Sequence, residues 1–434
     1  MKKVGLYTLG CKVSLYETEA IAESFAEAGF EVCSFEDVCD VYVINTCTVT
    51  AESDAKSRKY IRRAIRKNPD AIVIVIGCYS QRAPEEAAKI EGVSAVLGTA
   101  DKMKCVEIAQ KLISNFEFRI SNFVTSLDGT PFEPMCVKNA PRTRAYVKIE
   151  DGCECRCTYC AISAARGPVR SKRPEEVISE IEGLYKNGTL EVVLTGIETG
   201  SYGADFEEKY DLADLLCELD RRGSCKRVRL GSMAPELLSE SFVSRVAGLE
   251  IMVPHFHISM QSGSDNVLRG MKRRYNREMA LGNIERIRRL MPDVMLTADL
   301  MVGFPGESEE DFNDTVNFVS EARLLDAHVF AYSKREGTPA AEYENQIPEE
   351  IKKRRSAFLI ETVEQARDEI LSEVVKSKKA LSCIFESGKC GVYTAHSDSY
   401  IEVRSECDFN PAGQHYFVEP IRAENGVIYG KIIK

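Results

Sequence analysis

The chain has 434 residues, 29% of them charged and 44% hydrophobic, with a net charge of −10 and 16 cysteines. That length allows two or three domains with full cores, and the composition is that of a globular protein. The longest apolar run, Ala71 to Gly77, is too short to cross a bilayer, and Met-Lys-Lys leads into a strand-like run rather than a secretory apolar region. With no such signal, the cysteines read as metal ligands and buried thiols of a reducing cytoplasm, and no membrane partner is expected. The acidic balance argues mildly against a nucleic-acid partner but averages over local basic patches.

The first part of the chain alternates strands and helices. Val4 to Leu9 reads as a strand and Leu15 to Ala28 as an amphipathic helix ended by Gly29. Val41 to Asn45 is a strand, Ala51 to Lys67 a helix, and Ala71 to Ile76 a largely β-branched, buried parallel strand. Such repeats predict an α/β fold with a doubly wound parallel sheet. Cys11 follows Thr8-Leu9-Gly10, Cys47 follows Ile44-Asn45-Thr46, and Cys78 follows Val75-Ile76-Gly77. Each therefore lies at the carboxyl end of a predicted strand, the edge where such sheets bind ligands. Three thiolates far apart in sequence are expected to converge there on a metal cluster. The plainer alternative is three buried structural thiols, which belong inside elements rather than just past their ends. Lys56 to Lys67 carries seven Lys or Arg and no acid. Arg58, Arg62 and Arg66 make a row beside that edge, placed to follow phosphates; the alternative is a solvated helix face.

Farther on, Cys153, Cys157 and Cys160 are spaced Cys-x3-Cys-x2-Cys. Three thiolates this close can hold three irons of a [4Fe–4S] cluster, whose usual protein complement is four, which would leave one iron an open position for chemistry. Zinc is the alternative, but it calls for four ligands, usually in two separated pairs, and the chain has no second Cys-x2-Cys pair. Cys155 reads as a bystander.

On this triplet the chain resembles the radical S-adenosylmethionine superfamily, and with the amino-terminal cysteine layout it resembles the methylthiotransferase family within it. The stretch Thr8-Leu9-Gly10-Cys11-Lys12-Val13 with Tyr16-Glu17-Thr18-Glu19 is most similar to the branch that modifies N6-threonylcarbamoyladenosine in tRNA; Ser14 stands where that branch usually has Asn. The resemblance implies two [4Fe–4S] clusters and S-adenosylmethionine as cofactors. The Cys153, Cys157, Cys160 cluster would generate a 5′-deoxyadenosyl radical, and the Cys11, Cys47, Cys78 cluster would carry the sulfur. No catalytic residue beyond these ligands is assigned.

Strands at Ala145–Ile149, Glu191–Thr195, Arg227–Gly231, Phe256–Met260, Met295–Val302 and Asp326–Tyr332 alternate with helices, which suits a partial (β/α)6 TIM-like barrel with its site at the carboxyl ends of the strands. By resemblance, the S-adenosylmethionine contacts are Tyr159, Thr195, Gly196, Ser232, His257, Gln261, Val302 and Gly303, with Thr195-Gly196-Ile197 exposing backbone to the methionine amino group. Glu198 and Ala234 depart from the family's usual residues. Lys272, Arg273 and Arg274 are further RNA-binding candidates. The tail alternates apolar residues between turn glycines and reads as a small antiparallel β-barrel, similar to a TRAM domain, with Phe385, Tyr393 or Tyr400 available for base stacking.

The expected division is 1–125 for the amino-terminal domain, 139–370 for the radical domain and 375–434 for the TRAM-like RNA-binding domain. The resemblance implies a cytoplasmic tRNA methylthiotransferase served by a flavodoxin- or ferredoxin-type reductant and a sulfur donor. Its rivals are another tRNA adenosine, a ribosomal-protein aspartate, or a non-catalytic iron–sulfur RNA-binding regulator.

Overall fold

The computed structural model describes residues 1–114, 121–140 and 143–433. Six strands open the chain: β1 (Lys3–Thr8), β2 (Glu31–Cys33), β3 (Val41–Thr46), β4 (Ile72–Gly77), β5 (Ala95–Val96) and β6 (Ser121–Asn122). They pair in the order β2-β1-β3-β4-β5-β6, every pair parallel. Alternate side chains face opposite layers. Val41, Val43, Ile74 and Ile76 pack against helices Lys12–Glu27 and Cys105–Ser114. Tyr42, Ile44, Val73 and Val75 pack against Ala51–Lys67 and Pro84–Ala88. The sheet is thus doubly wound, and its order reverses between β1 and β3, beside two of the three predicted cysteines.

The second unit starts with β7 (Arg144–Lys148). A short antiparallel pair, β8 (Glu150–Asp151) with β9 (Arg170–Ser171), frames the cysteine-triplet loop. Then come β10 (Glu191–Thr195), β11 (Arg227–Leu230), β12 (Ser232–Met233), β13 (His255–Gln261), β14 (Met295–Val302) and β15 (Asp326–Ala331). They form two parallel sheets, β11-β10-β7 and β12-β13-β14-β15, separated at Gly231 and joined by the bridge between Val228 and Met252. All six expected strands are present, and their helices lie outside over one shared core. Helix Lys12–Glu27 serves two cores: Ile21 and Phe25 face its own sheet, while Tyr16 and Ala20 enter the barrel core.

A helix of 29 residues, Glu349–Ser377, leads to β16 (Leu381–Lys389), β17 (Val392–Ser397), β18 (Glu402–Glu406), β19 (His415–Glu424) and β20 (Val427–Ile433). These close into a barrel in the order β16-β17-β18-β20-β19. The expected small antiparallel barrel is present, with four antiparallel pairs and one exception: β18 and β20 run parallel. A ring of five strands cannot alternate direction all the way round, so one pair must be parallel. Phe385 is fully buried in this barrel and is not available to a base.

The small barrel covers the amino-terminal ends of the larger one's strands. Arg227, which opens β11, donates to the Ser382 carbonyl at 3.0 Å. His255, which opens β13, stacks on Tyr400 at 4.6 Å, so Tyr400 is held at this junction. The opposite, carboxyl end faces the first sheet's carboxyl edge: Arg335, past β15, donates to Thr48 at 2.8 Å and pairs with Asp54 at 2.6 Å. Arg82 reaches the Glu336 carbonyl at 2.7 Å. Among the described residues no helix is long and apolar enough to cross a membrane.

Candidate active site

Tight turns deliver the first three cysteines. Gly77, at φ +102°, has no room for a Cβ, which would lie 2.6 Å from the Thr46 carbonyl oxygen. Cys78 follows it and opens the helix Cys78–Arg82. Cys11 is the amino-terminal cap of Lys12–Glu27, and Cys47 sits one residue past β3. Cys11 is exposed, Cys47 and Cys78 are buried, and Cys78 feels the charge of both of the others while Cys47 feels that of Cys11. Burial pushes the Cys78 thiol up to about 11, against the pull of Arg166. A buried thiol ionises when a metal replaces the lost water, so this donor set fits iron.

The second triad lies on the β8–β9 loop. Gly152 precedes it at φ +99°, and a Cβ there would overlap the Pro168 carbonyl oxygen. Gly152→Ala is therefore expected to destabilise the fold by about 1–3 kcal/mol and to lower iron uptake, read by denaturation and by iron analysis. The Cys153 amide donates to the Gly167 carbonyl at 3.0 Å. Cys153, acting as the donor, lowers the neighbouring Cys155 thiol to about 6. Cys157 accepts from Arg273 Nη1 at 3.2 Å. Cys160 accepts from the Ile162 amide at 3.4 Å, and burial raises it to about 11. Cys153, Cys157 and Cys160 line a cavity of about 640 Å³ together with Gln81, Leu127 and Thr338. The first triad does not line it, although Gln81 lies three residues past Cys78. Among the described residues no three His, Cys, Asp or Glu side chains are drawn together around a single metal-ion position.

Arg166 ties the first triad to a buried ion network. It lies six residues past Cys160 and is fully buried. Its Nε donates to Cys78 Sγ at 3.1 Å, and its Nη1 pairs with Glu17 at 2.6 Å and Asp151 at 3.2 Å. Lys148 pairs with both carboxylates, at 2.9 Å and 2.7 Å, and Lys102 with Glu17 at 3.0 Å.

The expected S-adenosylmethionine contacts divide into two sets. Ser232 Oγ and Gln261 Oε1 are buried with no hydrogen-bond partner, which fits a ligand between them. Tyr159 packs beside Met271, Phe304 and Tyr332. The others are occupied by protein. His257 is held by Thr297 at 2.8 Å and Asp299 at 3.3 Å. Val302 is buried, and the Gly303 amide donates to Glu307 at 2.7 Å. At Thr195-Gly196-Ile197 the flanking backbone groups are engaged by protein. The Thr195 carbonyl accepts from Ile149 at 2.9 Å, and the Glu198 amide donates to Glu150 at 2.9 Å. A Cβ on Gly196 would overlap that same carboxylate. Burial raises Glu150 well above the usual carboxyl range and Glu198 to about 8. Glu150 Oε1 has no partner, and among the described residues neither acid is ion-paired.

Residues 3–98 match the Uncharacterized protein family UPF0004, and residues 147–319 match the Radical SAM superfamily. The chain is 41% identical over 408 residues to the threonylcarbamoyladenosine tRNA methylthiotransferase MtaB of Bacillus subtilis (strain 168), covering 93% of this chain and 90% of that one. It belongs to the radical S-adenosylmethionine methylthiotransferase family. It is also 35% identical over 368 residues to the tRNA-2-methylthio-N(6)-dimethylallyladenosine synthase of Carboxydothermus hydrogenoformans (strain ATCC BAA-161 / DSM 6008 / Z-2901), covering 83% of each. Among solved structures, the radical S-adenosylmethionine methyltransferase TsrM from Kitasatospora setae, with cobalamin and a [4Fe–4S] cluster bound, shares the fold. Its TM-score is 0.58 at 17% identity, over 78% of this chain and 74% of that one.

In this methylthiotransferase, Arg58, Arg62 and Arg66 line a groove of about 460 Å³ with Ile65, Glu86 and Lys89. Lys272 and Arg274 are exposed beside the triplet, where Arg274 donates to the Glu154 carbonyl at 3.3 Å. Arg273 is corrected: its guanidinium turns inward to Cys157, Ser259 and Tyr275 and leaves no fork for phosphate. Glu17, Glu150 and Arg166 were missed by sequence reasoning. For Glu17 a signal exists, because it lies four residues from both Val13 and Ile21, inside the apolar stripe of its helix.

Proposed function

We propose that this methylthiotransferase acts on tRNA, converting N6-threonylcarbamoyladenosine 3′ of the anticodon to its 2-methylthio form. The supporting observation is the 41% identity, over 93% of the chain, to a relative named for that nucleoside. The six cysteines are its cluster ligands: Cys153, Cys157 and Cys160 for one, Cys11, Cys47 and Cys78 for the other. Bound there, iron–sulfur clusters supply the electron that splits S-adenosylmethionine and the sulfur that is transferred.

The chain's own residues hold and orient. Ser232 and Gln261 offer unpaired polar atoms to S-adenosylmethionine. Glu150 and Glu198 form an acidic cradle without a cation, which its ammonium group would complete. The groove of Arg58, Arg62 and Arg66 follows phosphates of the anticodon stem. An unpaired loop base enters such an interior at less cost than a base in a duplex. A reductant of flavodoxin or ferredoxin type and a sulfur donor complete the reaction, in the cytoplasm.

Lys12, next to Cys11, bears on the choice of base. Its charge faces Arg229, Arg144 and Asp299, on three barrel strands, and it has no ion pair among the described residues. A cationic interior suits the carboxylate of a threonylcarbamoyl group, which a dimethylallyl group lacks. Losing such a charge-assisted contact costs about 1.5–3 kcal/mol. Lys12→Gln should therefore raise KM for a threonylcarbamoylated anticodon stem-loop at least about ten-fold and leave iron uptake unchanged. The relative named for the dimethylallyl nucleoside supports a second reading, another tRNA adenosine. Nucleoside mass spectrometry of bulk tRNA with and without the gene separates the two. Unchanged 2-methylthio-N6-threonylcarbamoyladenosine removes the first.

A further inference from the structure

The buried ion network does not balance. Lys102, Lys148 and Arg166 face Glu17 and Asp151. At its margin, Arg170 lies 3.7 Å from Asp151 and Glu133 lies 3.9 Å from Lys102. Counted either way, one positive charge is left over. Burying an uncompensated cation is costly, so a neighbouring anion is needed. Among the described residues one further group on Arg166 offers itself: Cys78 Sγ, 3.1 Å from Nε. Glu17 and Asp151 fix the rest of the guanidinium, so its Nε–H is aimed at that sulfur before any cofactor arrives.

We infer that Arg166 is a positioning residue for the cluster held by Cys11, Cys47 and Cys78, raising that cluster's reduction potential through an N–H···S hydrogen bond and the network's excess charge. The inference rests on reading those three cysteines as cluster ligands. Hydrogen bonds to ligand sulfur and nearby positive charge favour the more negative, reduced cluster. The role is local, because the other triad has its own arginine, with Arg273 Nη1 at 3.2 Å from Cys157.

The test uses the full chain carrying Cys153→Ala, Cys157→Ala and Cys160→Ala, so that a single cluster titrates. Iron per chain and the EPR-monitored midpoint potential are compared for Arg166, Arg166→Lys and Arg166→Gln. Arg166→Gln leaves the network's cations and carboxylates equal in number, so the fold is expected to survive. The expected result is about four irons in all three proteins, with the midpoint more negative in Arg166→Gln and intermediate in Arg166→Lys. Four irons with an unchanged midpoint in Arg166→Gln would overturn the role of Arg166. Should the Gln protein lose its iron, the Lys protein decides by the same midpoint. Absence of iron from the parent triple variant would instead overturn the ligand reading, and this inference with it.

Discussion

Replacing Cys153, Cys157 and Cys160 together by alanine is expected to halve the iron of anaerobically reconstituted protein, from about eight to about four per chain, and to abolish 5′-deoxyadenosine formation. The complementary variant, with Cys11, Cys47 and Cys78 replaced, should also keep about four irons. It should still cleave S-adenosylmethionine but transfer no sulfur. The two triads stand on different units, the first at the carboxyl edge of the parallel sheet and the second on the β8–β9 loop, so each has its own supporting turns. The ion pairs of Arg166 with Glu17 and Asp151 involve neither triad and are retained in both variants, although the second loses the Arg166–Cys78 hydrogen bond. Iron falling to none in the first variant would mean that one site exists. Intact cleavage there would mean that the triplet is not the radical centre.

Glu17→Gln is the largest stability effect expected from a single change. Glu17 is fully buried and faces Arg166, Lys102 and Lys148 at 2.6–3.0 Å. Removing one partner of a buried charge network strands the others and costs about 3–5 kcal/mol. Those cations hold the Glu17 carboxyl well below its ordinary value of 4.5, against the opposing effect of burial. Its contribution is therefore fully present above pH 4.5 and is lost as the pH falls below it. The variant should show a lower denaturant midpoint at neutral pH and a gap from wild type that narrows under acid. An unchanged midpoint at pH 7 would show that the network carries no stability.

Local chemistry made much of this molecule legible. Strand ends could be read from β-branched runs and the glycines after them, so Cys11, Cys47 and Cys78 could be placed on one sheet edge without coordinates. The six barrel strands were legible for the same reason. The missed features depend on partners distant in sequence. Nothing near Glu150 marks it as the acceptor of the Glu198 amide, 48 residues away. Arg273 looked like part of a basic surface because its neighbours Lys272 and Arg274 are; its inward turn depends on Cys157, 116 residues away. His257 fitted a ligand motif, yet Thr297 and Asp299 on the adjacent strand claim its ring. The parallel β18–β20 pair follows from ring closure, a constraint that no single segment carries.

The central claim is that two iron–sulfur sites lie side by side, each with its own arginine, Arg166 at Cys78 and Arg273 at Cys157. Magnetic coupling between them measures this most directly, because dipolar splitting falls with the cube of distance. The EPR spectrum of the fully reduced wild-type protein should show splitting and faster relaxation absent from both triple-alanine variants. A wild-type spectrum equal to the plain sum of the two variants would contradict the account.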